Sequence, residues 1–375
     1  MVPVKTAVVG CGGISDIYFQ NMIGKYKNLD VISCCAKHLE SAERQGKKYG
    51  INAQTYEEIL QDPEIEMVVI LTPADTHYEL IKQGLSAGKH VFTEKPLAVD
   101  TMQGLELLKL ADQKKCYLGA APETFLGSAV QTAYKALEDG AIGKITSFHV
   151  VANRNLTMLA SAVRSLRVPG GGIGYDYGVY YLTALIDLLG PAKEVFASVK
   201  NLSRVRKNVY PKSPEYGQDF IYDNESQVYA VLTLENGVTG TFALNGDSVI
   251  MDQGYFTIHG TKGILKLGDA NLFGGEISVI PNDVEAFTKG STSMVLKPVS
   301  PLMENCRGIG PAEMALAIRK GKPNYASKEM AYHVLDIVEC MMESGKTKTI
   351  QTVKSTCRRP AFFNDWDQIV IEGKA

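Results

Sequence analysis

No apolar run in this 375-residue chain approaches the roughly 18 residues that a membrane-spanning helix needs, so no membrane partner is expected. The start, Met1-Val2-Pro3-Val4-Lys5, lacks the basic, apolar and small-residue succession of a signal peptide and leads straight into a β-like run. Neither sign of charge dominates. With 39 Lys and Arg against 41 Asp and Glu, the net charge of -2 gives no electrostatic reason to expect a nucleic acid partner. The seven cysteines include no CxxC pair and no cluster with histidine, which argues against a metal site and suits a reducing, cytoplasmic setting. What remains is an ordinary soluble balance, 45% hydrophobic and 21% charged, and a small molecule is the expected ligand.

A chain of this length exceeds one core of ordinary size, so two domains are expected. The first half alternates strand and helix. A β-branched run at 4–9 ends in Gly10-Cys11-Gly12-Gly13-Ile14-Ser15, and a helical segment follows to about residue 25. Gly10 permits a tight turn, Gly12 lets backbone approach a pyrophosphate, and the helix start offers free N–H groups and the positive end of a dipole. Ser15, in place of a third glycine, is small enough for close packing.

The second strand, 30–36, lacks the terminal carboxylate that would bind the ribose 2′-OH of NAD. Ala36 stands there instead with Lys37 beside it, which suits the 2′-phosphate of NADP; NAD remains open, and a solvated loop lysine is the plain alternative. A strand at 66–71 ends in Thr72-Pro73, and one at 90–93 delivers Glu94-Lys95-Pro96 to the same edge, where open α/β sheets bind ligands. His77 opens the next helix, either to touch cofactor or to satisfy a cap or neighbouring loop. A helix at 99–114 and a strand at 116–120, ending near Pro122, complete five strands of a doubly wound parallel sheet over residues 1–122.

Beyond it, a strand at 145–152 opens the second domain, expected over 123–375. Residues 153–169 read as irregular and carry Arg154, Asn155, Arg164 and Arg167, polar groups that either grip substrate or lie solvated in a loop. A helix is expected over 174–189, with Asp176 and Tyr180 one turn apart on one face. By pattern alone, Asp176 complements the helix dipole and Tyr180 is a core aromatic. Runs between 194 and 280, with a hairpin signal at Asn236-Gly237, predict a β-meander. Helices follow at 311–320 and 328–344.

The order of GCGGIS at 10–15, LTPADTH at 71–77, EKP at 94–96, ALEDGAIGK at 136–144, GGGIGYDYGVYYL at 170–182 and HGTKGILKL at 259–267 resembles the family of glucose-fructose oxidoreductase, inositol dehydrogenase and MocA. The resemblance implies a Rossmann domain, onto which helices at about 308–345 pack back, and an α+β domain with an open, mostly antiparallel sheet. It implies NAD(P)-dependent hydride transfer to or from a sugar, glycoside or polyol, and a homodimer or homotetramer through that sheet. Lys95 would contact nicotinamide ribose and substrate hydroxyl, and Asp176 would orient substrate. The family's usual histidine four residues after the aspartate is here Tyr180, as in the dimeric dihydrodiol dehydrogenases. An unperturbed tyrosine has a pKa of about 10, so a tyrosine base needs a cation, and Lys95 is the expected one. A NAD-dependent glycosidase acting by transient oxidation, and a non-catalytic nucleotide sensor, are the other readings; the sensor has no use for proton-transfer groups.

Overall fold

The computed structural model describes residues 1–251, 253–282, 290 and 292–374. Six parallel strands form the first sheet: β1 (Val4–Val9), β2 (Leu29–Cys35), β3 (Asn52–Ala53), β4 (Met67–Ile70), β5 (His90–Thr93) and β6 (Leu118–Ala120). Their order is β3-β2-β1-β4-β5-β6, so the chain winds outward on one side of β1 and then on the other side from β4. The glycine turn after β1 and the Thr72-Pro73 turn after β4 therefore flank the switch point, where such sheets bind ligands. The sheet has six strands rather than the expected five; β3 is a two-residue edge strand, too short to show a period. The helix expected from residue 99 runs over Thr101–Lys114, because the Asp100 side chain accepts from the Gln103 N–H at 2.8 Å and caps it.

The second sheet has nine strands. These are β7 (Ile145–Asn153), β8 (Ala192–Lys200), β11 (Gln227–Leu234), β12 (Thr239–Asn245), β13 (Gln253–Gly260), β14 (Gly263–Leu267), β15 (Ser278–Pro281), β16 (Met294–Val295) and β17 (Gln351–Thr352). The short strands β9 (Val205–Lys207) and β10 (Asp219–Ile221) pair separately. The order β16-β15-β14-β13-β7-β12-β11-β8-β17 corrects the meander. The hairpins β11–β12 and β13–β14 form as expected, but β7 inserts between them, parallel to β12 and antiparallel to β13. Strand β7 precedes both hairpins in the chain, so no local pattern marks its place at the centre.

One face of this sheet is closed by the helix Val179–Leu189, all of whose residues are buried. Small residues allow the approach: a Cβ on Gly178 would lie 2.7 Å from Leu244 Cδ1, and one on Gly254 would lie 1.9 Å from the Tyr181 hydroxyl. The last long helix, Lys328–Thr347, packs on both halves. A Cβ on Gly104, in Thr101–Lys114, would meet Tyr332 Cδ2 at 2.9 Å, and one on Gly345 would meet Val199 Cβ at 2.7 Å. The helix Ile309–Lys320 is tied to the first sheet through Arg319, whose Nη1 and Nη2 reach Glu66 at 2.7 and 2.6 Å. These contacts set a cleft between the carboxyl edge of the parallel sheet and the start of the buried helix.

Candidate active site

The glycine turn presents open backbone. Gly10 has φ +110°, and a Cβ there would lie 2.9 Å from the Leu71 carbonyl carbon, so the turn demands glycine. Nothing lies within 4 Å of where Cβ atoms on Gly12 and Gly13 would stand. The helix Ser15–Gly24 has no side-chain cap from Ile14, so its first N–H groups face that space without a side-chain acceptor. Buried Ser15 donates through Oγ to Gly12 O at 2.7 Å and fixes the turn. Lys37 is exposed just past β2, with Ala36 half-buried beside it. The pyrophosphate of a dinucleotide fits this cradle, against N–H groups that have no side-chain acceptor.

The cleft continues from Gly12, Gly13 and Ile14 past Thr72, Pro73 and Glu94 to Lys95, Asp176 and Tyr180, with a volume of about 470 Å³. Lys95, placed by the end of β5, donates from Nζ to Asp176 Oδ1 at 2.5 Å and to the Asp176 carbonyl at 2.8 Å. Arg154, at the end of β7, reaches Asp176 Oδ2 at 3.1 Å and stacks 3.8 Å from the Tyr177 ring centroid. Burial disfavours the charge on Asp176, but Lys95 and Arg154 outweigh it and hold the carboxyl below the usual carboxylate range. Burial likewise opposes the charge on Lys95, and Asp176, Tyr180 and Glu94 more than compensate, keeping its pKa above that of an ordinary lysine. The site is thus preset as an ammonium on a carboxylate.

The start of the expected 174–189 helix is corrected. Residues Gly174–Gly178 form a widened π-type turn before the α-helix begins at Val179. Glu225 braces this turn: it accepts the Gly174 N–H at 2.9 Å, and its carboxyl group occupies the place of a Gly172 Cβ, which would be 2.0 Å away. Burial pushes Glu225 up to about 7. Lys95 stands near Tyr180 as expected, with Nζ 5.2 Å from the Tyr180 ring centroid, while its close bonds go to Asp176.

The other expected site residues fall into place less directly. His77 is fully buried and clamps two loops, with Nδ1 2.7 Å from the Pro96 carbonyl and Nε2 2.9 Å from the Thr72 carbonyl. A neutral ring can donate to only one of them, and burial lowers the histidine's pKa. Glu94 accepts from the Tyr18 hydroxyl at 2.7 Å and from its neighbour's N–H at 3.2 Å. Pro122 lines a small, mostly apolar gap behind Lys95, of about 20 Å³. Residues 153–169, expected irregular, contain the short helix Leu156–Ala162, which Asn155 caps by accepting from Met158 N at 3.0 Å. Arg164 and Arg167 both hold Glu215, at 2.6 and 3.0 Å, and Arg167 stacks on Phe220. The cleft is lined there by Val163, Ser165 and Leu166 instead. Glu225 and Arg307, whose Nη2 reaches the Tyr180 hydroxyl at 3.3 Å, have no counterpart in the sequence reading; each lies in a loop without a motif, far along the chain from its contact.

Two family models match the chain, "Oxidoreductase family, NAD-binding Rossmann fold" over residues 4–121 and "GFO/IDH/MocA C-terminal domain" over residues 130–266. A scyllo-inositol 2-dehydrogenase (NADP(+)) of Bacillus subtilis is 24% identical over 92% of this chain and 94% of its own length. A trans-1,2-dihydrobenzene-1,2-diol dehydrogenase of Oryctolagus cuniculus is 28% identical over 63% and 67%. Similarity to two uncharacterized oxidoreductases of Schizosaccharomyces pombe spans little more than half of their length, 57% and 56%. Among solved structures, a levoglucosan dehydrogenase in complex with NADH and L-sorbose superposes with a TM-score of 0.81 at 21% identity, covering 94% of this chain and 99% of that one, which establishes a shared fold. The matched families, covering both halves of the chain in order, and the cradle facing Lys95 and Asp176 together identify the chain as a member of the Gfo/Idh/MocA family of oxidoreductases.

Proposed function

We propose that this protein transfers a hydride between a nicotinamide dinucleotide and a secondary alcohol of a sugar, glycoside or polyol. The observation that carries the reading is the Lys95–Asp176 ion pair in the same cleft as the bare backbone of Gly12 and Gly13. Bound nicotinamide supplies the hydride chemistry. Lys95 stabilises the alkoxide that develops on the substrate oxygen, Asp176 orients the substrate through its hydroxyls, and Tyr180 exchanges the hydroxyl proton. Lys37, with no carboxylate at the end of β2, favours NADP over NAD.

The open face of the nine-stranded sheet supports assembly into a homodimer or homotetramer. Phe196, Val231, Tyr229, Val151 and Tyr255 lie exposed on it, on β8, β11, β7 and β13, an apolar face of the kind that partner surfaces cover. Seven unpaired cysteines suit a reducing cytoplasm.

The test mixes purified protein with inositols, glucose and aryl glycosides plus NADP or NAD, following nicotinamide absorbance and aglycone release separately. Net cofactor reduction is expected. Aglycone release without net reduction points to a transiently oxidising glycosidase, and binding without either points to a sensor. Lys95→Ala and Tyr180→Phe are each expected to lower turnover at least about 10²-fold, the usual scale for proton-transfer groups.

A further inference from the structure

Tyr180 has a second cation beside it. Its hydroxyl lies 3.3 Å from Nη2 of Arg307, and the same nitrogen donates to Asn271 Oδ1 at 3.1 Å. Nη1 of Arg307 donates to Asn305 Oδ1 at 3.0 Å. All three acceptors are neutral; among the described residues no carboxylate hydrogen-bonds this guanidinium, and Glu94 acts on it only through space. A guanidinium has donors only, so the phenol oxygen accepts from Arg307 and its own proton must point elsewhere. Among the described residues that proton has no acceptor, and both side chains line the cleft.

The two cations beside Tyr180 are thus in different positions. Lys95 stands over the ring and is held by Asp176, whereas Arg307 meets the oxygen itself. The placement of Arg307 is also built in. Asn21, on the helix that follows the glycine turn, donates through Nδ2 to the carbonyls of Asn305 and Arg307, both at 2.8 Å. On the other side, the Gly308 N–H donates to buried Glu123 at 2.7 Å, and Gly308 has φ +99°, a conformation that other residues rarely adopt. The guanidinium is therefore carried on a segment fixed at both flanks, by Asn21 on one side and Glu123 on the other.

We propose that Arg307 is the positioning cation for Tyr180: it holds the phenol oxygen, stabilises the phenolate and directs the hydroxyl proton toward the substrate. Its catalytic role rests on the oxidoreductase reading; its effect on the acidity of Tyr180 does not. In the oxidation direction, the substrate O–H bond breaks as an O–H bond forms on the Tyr180 phenolate. An oxidised nicotinamide held in the cleft would take the hydride from the carbon bearing that oxygen as the carbonyl forms, and the Tyr180 phenol then returns its proton to water. Reduction is the reverse. Lys95 remains with Asp176 and the developing alkoxide throughout.

The experiment is a tyrosinate absorbance titration of the full chain without substrate, taken as the difference between a protein and its Tyr180→Phe counterpart, so that one phenol of the 18 tyrosines is read. Arg307→Met is expected to move that ionisation upward by at least about one pH unit, a tenfold weakening of phenolate stability. Arg307→Lys, which keeps a cation, is expected to recover part of the shift. The pH–rate profile for any alcohol substrate is expected to move in the same direction, with kcat falling more than KM rises. An ionisation that stays in place in Arg307→Met, with thermal melting showing a folded chain, overturns the proposal. If Arg307→Met does not fold, Arg307→Gln, which removes the charge but keeps an N–H donor, takes its place, and an unshifted ionisation there overturns the proposal equally. A shift without turnover of any alcohol sustains the acidity link and sinks the oxidoreductase reading instead.

Discussion

The two walls of the cleft are made of different materials. The wall from the parallel sheet is mostly backbone: a glycine turn with open space above Gly12 and Gly13, a helix start, and the ends of β4 and β5. The facing wall is charged side chain, with Asp176 held by Lys95 and Arg154, and with Glu225 setting the turn that carries it. Backbone N–H groups keep their polarity at any pH and need only glycine and a helix to be placed. Ionised side chains in a buried setting depend on one another, because a charge left there without its partner costs far more than the pair contributes. One wall is therefore tolerant and the other poised.

The largest expected effect breaks the poised wall. Asp176→Ala deprives Lys95, whose side chain is only 14% exposed, of its ion-pair partner, and loss of one member of a buried pair costs roughly 3–5 kcal/mol. Urea denaturation measures that loss. Gly12→Val probes the tolerant wall. Its Cβ meets nothing within 4 Å, so stability is expected to stay within about 0.5 kcal/mol, while the side chain fills the space for pyrophosphate and weakens dinucleotide affinity at least about tenfold. Calorimetric titration with NADP, alongside melting, separates the two.

The smallest expected effect is a change of pH dependence. Glu225 is held protonated up to about 7 in the folded chain and ionises near 4.3 when unfolded. Between those values the native state binds the extra proton, so this group's stabilisation is complete below about pH 4.3 and fades as pH rises through 7. Glu225→Gln cannot titrate and is expected to flatten the fall in stability across that window, as read from denaturation midpoints at pH 5, 6, 7 and 8.

The same contrast governs what was legible in the sequence. Strand, glycine turn and helix at 4–25 lie in one continuous stretch, so their geometry follows from local rules, and β4 and β5 announce themselves as short apolar runs. The facing wall depends on residues far apart. Nothing near residue 176 indicates Glu225 or Arg307, and the π-type turn is braced by Glu225, which takes up the space beside Gly172. Arg164 and Arg167 read as substrate ligands from their loop, but Glu215, about 50 residues on, binds both. The place of β7 at the centre of the second sheet is long-range in the same sense.

The most direct test of the two-walled cleft is a crystal structure of the protein with NADP. The account predicts pyrophosphate against Gly12 and Gly13 at the start of the Ser15–Gly24 helix, and nicotinamide between Thr72-Pro73 and Lys95, with one ring face open toward Asp176 and Tyr180. A dinucleotide bound elsewhere, or a nicotinamide turned away from Lys95, would contradict it.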